Sequence, residues 1–249
     1  MGASCWQQQL NYDVVFDWGS DGLGELYETA DIVVIVDVLS FSTCVDVATQ
    51  AGAVVFPCRW KDERAQEFAQ RNNAHLASSR LAAAEFTLSP TTLTQLRAGD
   101  RLVLPSPNGS QLCTLVNERP IVAGCIRNAS AVARYLNSIS GRKLILAAGE
   151  LWPSTSQLRP ALEDLLGAAA IIHALSGSKS PEAKAAENSW IGMQNDVGNI
   201  LRECASGREL IERGYGNDVD LASALDSSAG VPLLSPEGYF TNGMSLKTD

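Results

Sequence analysis

Histidine is nearly absent from this 249-residue chain, which has only His75 and His173, far apart. That excludes a zinc site of the H-E-x-x-H kind. Neither histidine lies at a predicted strand end, where histidine-based phosphoryl transfer would need it. The six cysteines, Cys5, Cys44, Cys58, Cys113, Cys125 and Cys204, form no C-x-x-C pair. With no basic flank and apolar core at the start of the chain, they read as free thiols and the expected location is cytoplasmic. The start Met1 to Trp6 has Trp6 where a myristoylation signal needs Ser or Thr. Long hydrophobic runs are missing too. The stretch Leu165 to Ile172 spans 8 residues, against about 20 for a membrane-crossing helix, so no membrane span is expected. Positive charge is scarce, with 19 Lys and Arg against 28 Asp and Glu and a net charge of −9. No basic stripe is present, which excludes a general nucleic-acid binder. There is no Walker A motif, no G-x-S-x-G and no dinucleotide fingerprint.

What the chain does have is alternation. Ile32 to Val36 is an unbroken β-branched run and predicts a fully buried strand. A helix is predicted from Val45 to Ala51, a strand from Ala53 to Phe56 and a helix from Asp62 to Arg71. Leu102 to Leu104, Ile121 to Gly124 and Leu144 to Ala148 predict further strands. Asn128 to Leu136 and Pro160 to Leu175 predict helices, and Ser180 to Ala224 reads as mainly helical. A short strand closes the series at Val231 to Leu234. The fold class is α/β, a layered α/β/α unit around a mostly parallel sheet. The chain is expected to be one unit, with a lobe junction near Phe86 to Gly99.

In such sheets ligands bind beyond the carboxyl ends of the strands. Four predicted strand ends carry chemistry. Asp37 follows the first run, and its hard oxygens suit magnesium; a solvated strand end is the plainer alternative. Ser42 and Thr43 stand before the helix from Val45, where either would cap it, and helix N-termini attract phosphate. Ser106-Pro107-Asn108-Gly109-Ser110 is a turn of small residues whose N–H groups suit an anion, with Gly109 free to take positive φ. Arg127 and Asn128 follow the third strand. An arginine there suits bidentate capture of an anion, although a surface ion pair is its commoner fate. Glu150 follows Ala148-Gly149. Arg159 and Glu163 are spaced to share a helical face. Glu163 and Asp164 border the apolar stretch, as metal ligands or as favourable charges near a helix start. Cys125 is expected to be a packed thiol.

Two motifs fail. An aspartyl phosphatase needs a second Asp where Leu39 stands. Cys58 and Arg64 have the C-x5-R spacing, but Asp62 and Glu63 intervene without a glycine.

An ordered set of segments is more specific than any of them alone. It runs Asp37-Val38-Leu39-Ser40-Phe41-Ser42-Thr43, Ala51-Gly52-Ala53, Ser106 to Ser110, and Arg127-Asn128-Ala129-Ser130. It continues through Ala148-Gly149-Glu150 and Arg159 to Asp164 with Gly167-Ala168. The tail adds Ser206-Gly207-Arg208, Asp218-Val219, Asp226, Ser228 and Val231-Pro232. In this order the chain resembles the 2-phosphosulfolactate phosphatase family over roughly residues 12 to 235. The resemblance implies a magnesium-dependent hydrolase that converts (R)-2-phospho-3-sulfolactate to 3-sulfolactate and phosphate, a step toward coenzyme M. In the mechanism expected for such a hydrolase, Asp37 holds the metal together with Glu150, Glu163 or Asp164, and Asp37, Glu150, Arg127 and Arg159 act in catalysis. Ser42, Thr43, Ser106, Asn108, Gly109, Ser110 and Asn128 would meet a small anionic phosphorylated substrate. Ser40-Phe41 departs from the Arg-Ala common at that place, which points to the sulfonate end as the part of the substrate open to change. The alternatives are a magnesium phosphatase of another phospho-hydroxy acid, or a non-catalytic anion-binding homologue. A homodimer is the base-rate expectation.

Overall fold

The computed structural model describes residues 6–82, 84–116 and 118–243; Cys5 lies outside them. Strand β1 is Val14–Trp18, β2 Ile32–Val36, β3 Val54–Cys58, β4 His75–Leu76, β5 Arg101–Pro105 and β6 Ile121–Gly124. They are followed by β7 Lys143–Ala147, β8 Glu150–Leu151, β9 Leu158–Arg159, β10 Pro232–Leu234 and β11 Phe240–Asn242. The helices are α1 Gly19–Leu26, α2 Phe41–Gln50, α3 Glu63–Arg71, α4 Pro90–Leu93, α5 Gly109–Leu115 and α6 Ala129–Asn137. After them come α7 Leu162–Ala174, α8 Pro181–Met193, α9 Val197–Glu203, α10 Ala205–Glu212 and α11 Gly216–Ala222.

The main sheet runs in the order β1-β7-β2-β6-β10-β11-β3-β5-β4, and β8 pairs β9 apart from it. β1, β7, β2 and β6 are mutually parallel, as are β3, β5 and β4. The β10–β11 hairpin joins the two sets by three antiparallel pairings, so the sets run in opposite directions along the ladder. The expectation of a layered, mostly parallel α/β/α sheet is met.

The β-branched run of β2 explains the layering. Successive side chains of a strand point to opposite faces. Ile32, Val34 and Val36 enter an apolar cluster with residues of α6 to α11. Val33 and Ile35 enter another with residues of α1, α2, α4 and α5. Each such side chain withdrawn from water contributes about 1.5–3 kcal/mol. Phe86, Leu93 and Leu96, from the expected lobe junction, are buried in this second cluster beside Val33 and Phe41.

Helix boundaries shift in two informative places. α2 begins at Phe41, before Ser42 and Thr43, so neither caps it. α7 begins at Leu162, and Arg159 is extended in β9. A residue before proline is pushed out of the helical region, so Pro160 keeps Arg159 off the helix and off the face that carries Glu163.

Candidate active site

Because β7, β2 and β6 are adjacent and parallel, their carboxyl ends form one edge, and Asp37, Arg127 and Glu150 all emerge there. Asp37 leaves β2 nearly fully buried. Its Oδ1 accepts the Phe41 N–H at 3.1 Å and its Oδ2 the Gly109 N–H at 2.9 Å, with the Ser106 hydroxyl at 3.5 Å. The loop after β5 is thus drawn onto the end of β2. Gly109 does not need positive φ. It needs the absence of a side chain, because a Cβ there would lie 2.3 Å from the Phe41 ring and 2.8 Å from Asp37 Oδ2.

The first turn of α7 supplies the other two acids. Asp164 Oδ1 accepts the Val38 N–H at 2.7 Å, and Oδ2 accepts the Gly149 N–H at 2.9 Å. Gly149 holds φ +68°, the left-handed region where glycine is at ease. Glu163 is equally buried, and its Oε2 receives the Cys204 thiol at 3.4 Å. Carboxylates in a first helical turn are favoured by the helix dipole.

Glu150 and Arg159 are direct cross-strand partners in the β8–β9 ribbon. Glu150 Oε2 accepts from Asn108 Nδ2 at 3.0 Å, and Arg159 Nη2 donates to Ser206 Oγ at 3.0 Å. Asn108 and Leu151 also border a cleft of about 660 Å³ that includes Asp21, Gln157 and Leu158. A cavity of about 680 Å³ between Pro57–Trp60, Cys113 and Leu234–Gly238 is separate and holds none of these four acids.

Four carboxylates in one buried place repel each other. Burial, then the charge of Asp37, pushes the Glu150 carboxyl up to about 7. Burial with Asp37 and Glu163 raises Asp164 well above its ordinary range. Burial also raises Asp37, against the pull of the Gly109 and Phe41 amides and of Arg80. Such a cluster needs protons or a cation. The donor set is all hard oxygen, which suits magnesium or calcium rather than a thiolate-seeking metal. Among the described residues no three His, Cys, Asp or Glu side chains make a ready metal cage. Magnesium usually keeps several waters and takes one or two carboxylates plus substrate phosphate, and the arrangement fits that mode.

The family model for 2-phosphosulpholactate phosphatase matches residues 21–237. The chain belongs to that family. This phosphatase, a phosphoric monoester hydrolase by its family, is 30% identical to the probable 2-phosphosulfolactate phosphatase of Carboxydothermus hydrogenoformans over 218 residues, 85% of this chain and 87% of that one. The protein of the same description from Thermotoga maritima is 27% identical over 208 residues, covering 81% and 88%. That from Gloeobacter violaceus is 27% identical over 163 residues, covering 65% and 67%.

In this phosphatase Asp37, Ser106, Asn108, Gly109, Glu150, Glu163 and Asp164 are brought together, with Arg159 beside Glu150. Other expected residues are turned to the scaffold. Ser42 Oγ accepts the Asp37 N–H and donates to the Ile35 carbonyl, and Thr43 donates to the Val38 carbonyl. Ser110 donates to the Leu104 carbonyl. Asn128 accepts the Cys125 N–H and donates to the Ala123 carbonyl. Arg127 spends its Nε on Asp46 at 2.9 Å and Nη1 on the Leu221 carbonyl. Cys125 is fully buried, and burial raises its thiol far above the ordinary range. Sequence reasoning gave no site role to Arg80, Cys204 or Ser206. Cys204 and Ser206 arrive on a helical segment, and Arg80 on the loop after β4, away from the ends of β2, β6 and β7.

Proposed function

We propose that this phosphatase hydrolyses (R)-2-phospho-3-sulfolactate to 3-sulfolactate and phosphate with magnesium, a step of the kind used toward coenzyme M. The observation that carries the reading is the convergence of the buried Asp37, Glu163 and Asp164 with the partly buried Glu150, beside Arg159. The substrate comes from the family, and its charge suits the site's pairing of acids with arginines.

Magnesium, when bound through Asp37 with Glu163 or Asp164, would supply positive charge against the phosphoryl oxygens. The chain's own residues do the rest. The backbone amides of Phe41 and Gly109 fix Asp37, and those of Val38 and Gly149 fix Asp164, so the acids are oriented before substrate arrives. Arg159, held by Ser206, binds a phosphoryl oxygen. As the attacking water bonds to phosphorus, Glu150 takes its proton at the carboxylate, the bond between phosphorus and the C2 oxygen breaks, and that oxygen takes a proton from solvent. In the metal-free protein burial and Asp37 hold the Glu150 carboxyl up at about 7. Asn108 keeps it in position.

A panel of 2-phospho-3-sulfolactate, 2-phospholactate and other phosphorylated hydroxy acids, each with magnesium and with a chelator, tests the reading. Phosphate release should be magnesium-dependent and fastest with the sulfonated compound. A faster non-sulfonated compound would move the assignment to the other phospho-hydroxy acids, and no release from any would favour an anion-binding homologue.

A further inference from the structure

Arg80, on the loop between β4 and α4, reaches the turn that follows Asp37. Its Nη2 donates to the hydroxyl of Ser40, on the turn after Asp37. Its Nε pairs with Asp218 Oδ2 at 3.2 Å, and the Arg80 side chain is only 16% exposed. Asp218 is itself held from the other side. Its Oδ1 accepts from Ser89 Oγ and Thr91 Oγ1, both at 2.6 Å, and from the Thr91 N–H at 3.3 Å. Tyr215 donates to the Arg80 carbonyl at 2.6 Å, and the guanidinium lies 5.9 Å over the Tyr215 ring. Segments from three other parts of the chain therefore hold one arginine still. Arg80 has five N–H groups, and the described residues engage only Nε and one on Nη2. Nη1 has no partner and is not a buried unpartnered atom, so it is open to solvent.

The two site arginines face different acids. Arg80 meets Ser40 on the turn that follows Asp37, whereas Arg159 is the cross-strand partner of Glu150. A substrate with a phosphate and a second anion fits a cluster flanked by two cations. Resting on the functional reading above, we infer that Arg80 is the residue that binds the sulfonate of 2-phospho-3-sulfolactate, one of its two non-transferred anionic groups, the other being the carboxylate. It is a specificity residue, and Asp218 and Tyr215 position it.

The test is equilibrium binding, followed by turnover. Calorimetry with 3-sulfolactate and with lactate is run on the wild type, Arg80→Ala and Arg80→Lys. Loss of one charged hydrogen-bonding group predicts about ten- to hundredfold weaker 3-sulfolactate binding in Arg80→Ala. Arg80→Lys should recover part of it, with lactate affinity little changed. In turnover, Arg80→Ala should raise KM for 2-phospho-3-sulfolactate while leaving 2-phospholactate within about threefold. Thermal melts monitor folding. If Arg80→Ala unfolds because Asp218 is left bare, the Arg80→Ala/Asp218→Asn pair removes both charges and carries the same expectation. No detectable 3-sulfolactate binding by wild type, unchanged binding in the variants, or equal losses for both substrates overturns the assignment. A wild type that binds 3-sulfolactate through Arg80 but releases no phosphate overturns the functional reading alone.

Discussion

Asp37 is the residue on which three segments meet: the strand that carries it, the turn into α2 at Phe41, and the loop at Gly109. Asp37→Asn should lower magnesium-dependent phosphate release by about 10³-fold or more with the fold retained, as circular dichroism and a thermal melt would show. Unchanged turnover would remove it from the site. Glu150→Gln should cost about 10²–10⁴-fold. The wild-type rate should rise with pH as the carboxyl loses its proton, through about 7 in the metal-free protein and lower once magnesium is bound. That limb should vanish in the variant. Cys125→Ser should keep most activity, since a fully buried thiol with a strongly raised pKa supplies no thiolate. Among single residues, those at strand ends were readable because a parallel sheet tells in advance where its ligands sit. Arg127 was equally readable, yet its partner Asp46 lies on α2, and no local pattern announces that pairing. Arg80 was unreadable for the opposite reason: nothing near it in sequence marks the loop as returning to Asp37.

At the scale of elements, the site depends on how closely α5 and α7 approach β2. Gly109 opens α5 and Gly167 lies within α7, where a Cβ would meet Val38 at 2.6 Å and Val36 at 2.9 Å. Gly109→Ala should destabilise by about 1–3 kcal/mol through overpacking and should cost activity by displacing Asp37. Gly192→Ala, on an open face of α8 with nothing within 4 Å, should be neutral or stabilising. Denaturant midpoints and phosphate release on the two variants check this. Equal behaviour would show that the approach of α5 is not what sets Asp37. The central strands were legible because β2 is β-branched throughout and buried on both faces. β11 was not, since a three-residue segment, Phe-Thr-Asn, has no period of its own and forms only by pairing with β10 and β3. β8 and β9 are shorter still, so the facing of Glu150 and Arg159 was hidden behind a helical spacing that Pro160 forbids.

For the molecule as a whole, a buried cluster of acids makes stability depend on pH. Glu150 rises from its ordinary 4.5 to about 7, and Asp37 and Asp164 are raised as well. Across that window the folded state binds more protons than the unfolded one, so stability is present at low pH and lost as pH rises through the folded values. With chelator, Tm should therefore fall between pH 5.5 and pH 8. Magnesium should raise Tm more at pH 8 than at pH 5.5, because it replaces protons the cluster would otherwise need. A melting temperature flat across this range, with no magnesium effect, would mean that the acids are not coupled as described.

The central claim is that the end of β2, the Gly109 loop and the start of α7 together hold a hard cation against a phosphoryl group. Diffraction from crystals soaked with manganese, as an anomalous substitute for magnesium, and a non-hydrolysable phosphate analogue tests it most directly. The predicted result is one anomalous peak in contact with Asp37 and with Glu163 or Asp164, and the analogue bound between that ion and Arg159. An analogue seated elsewhere, or an ion that touches none of these acids, would contradict the account.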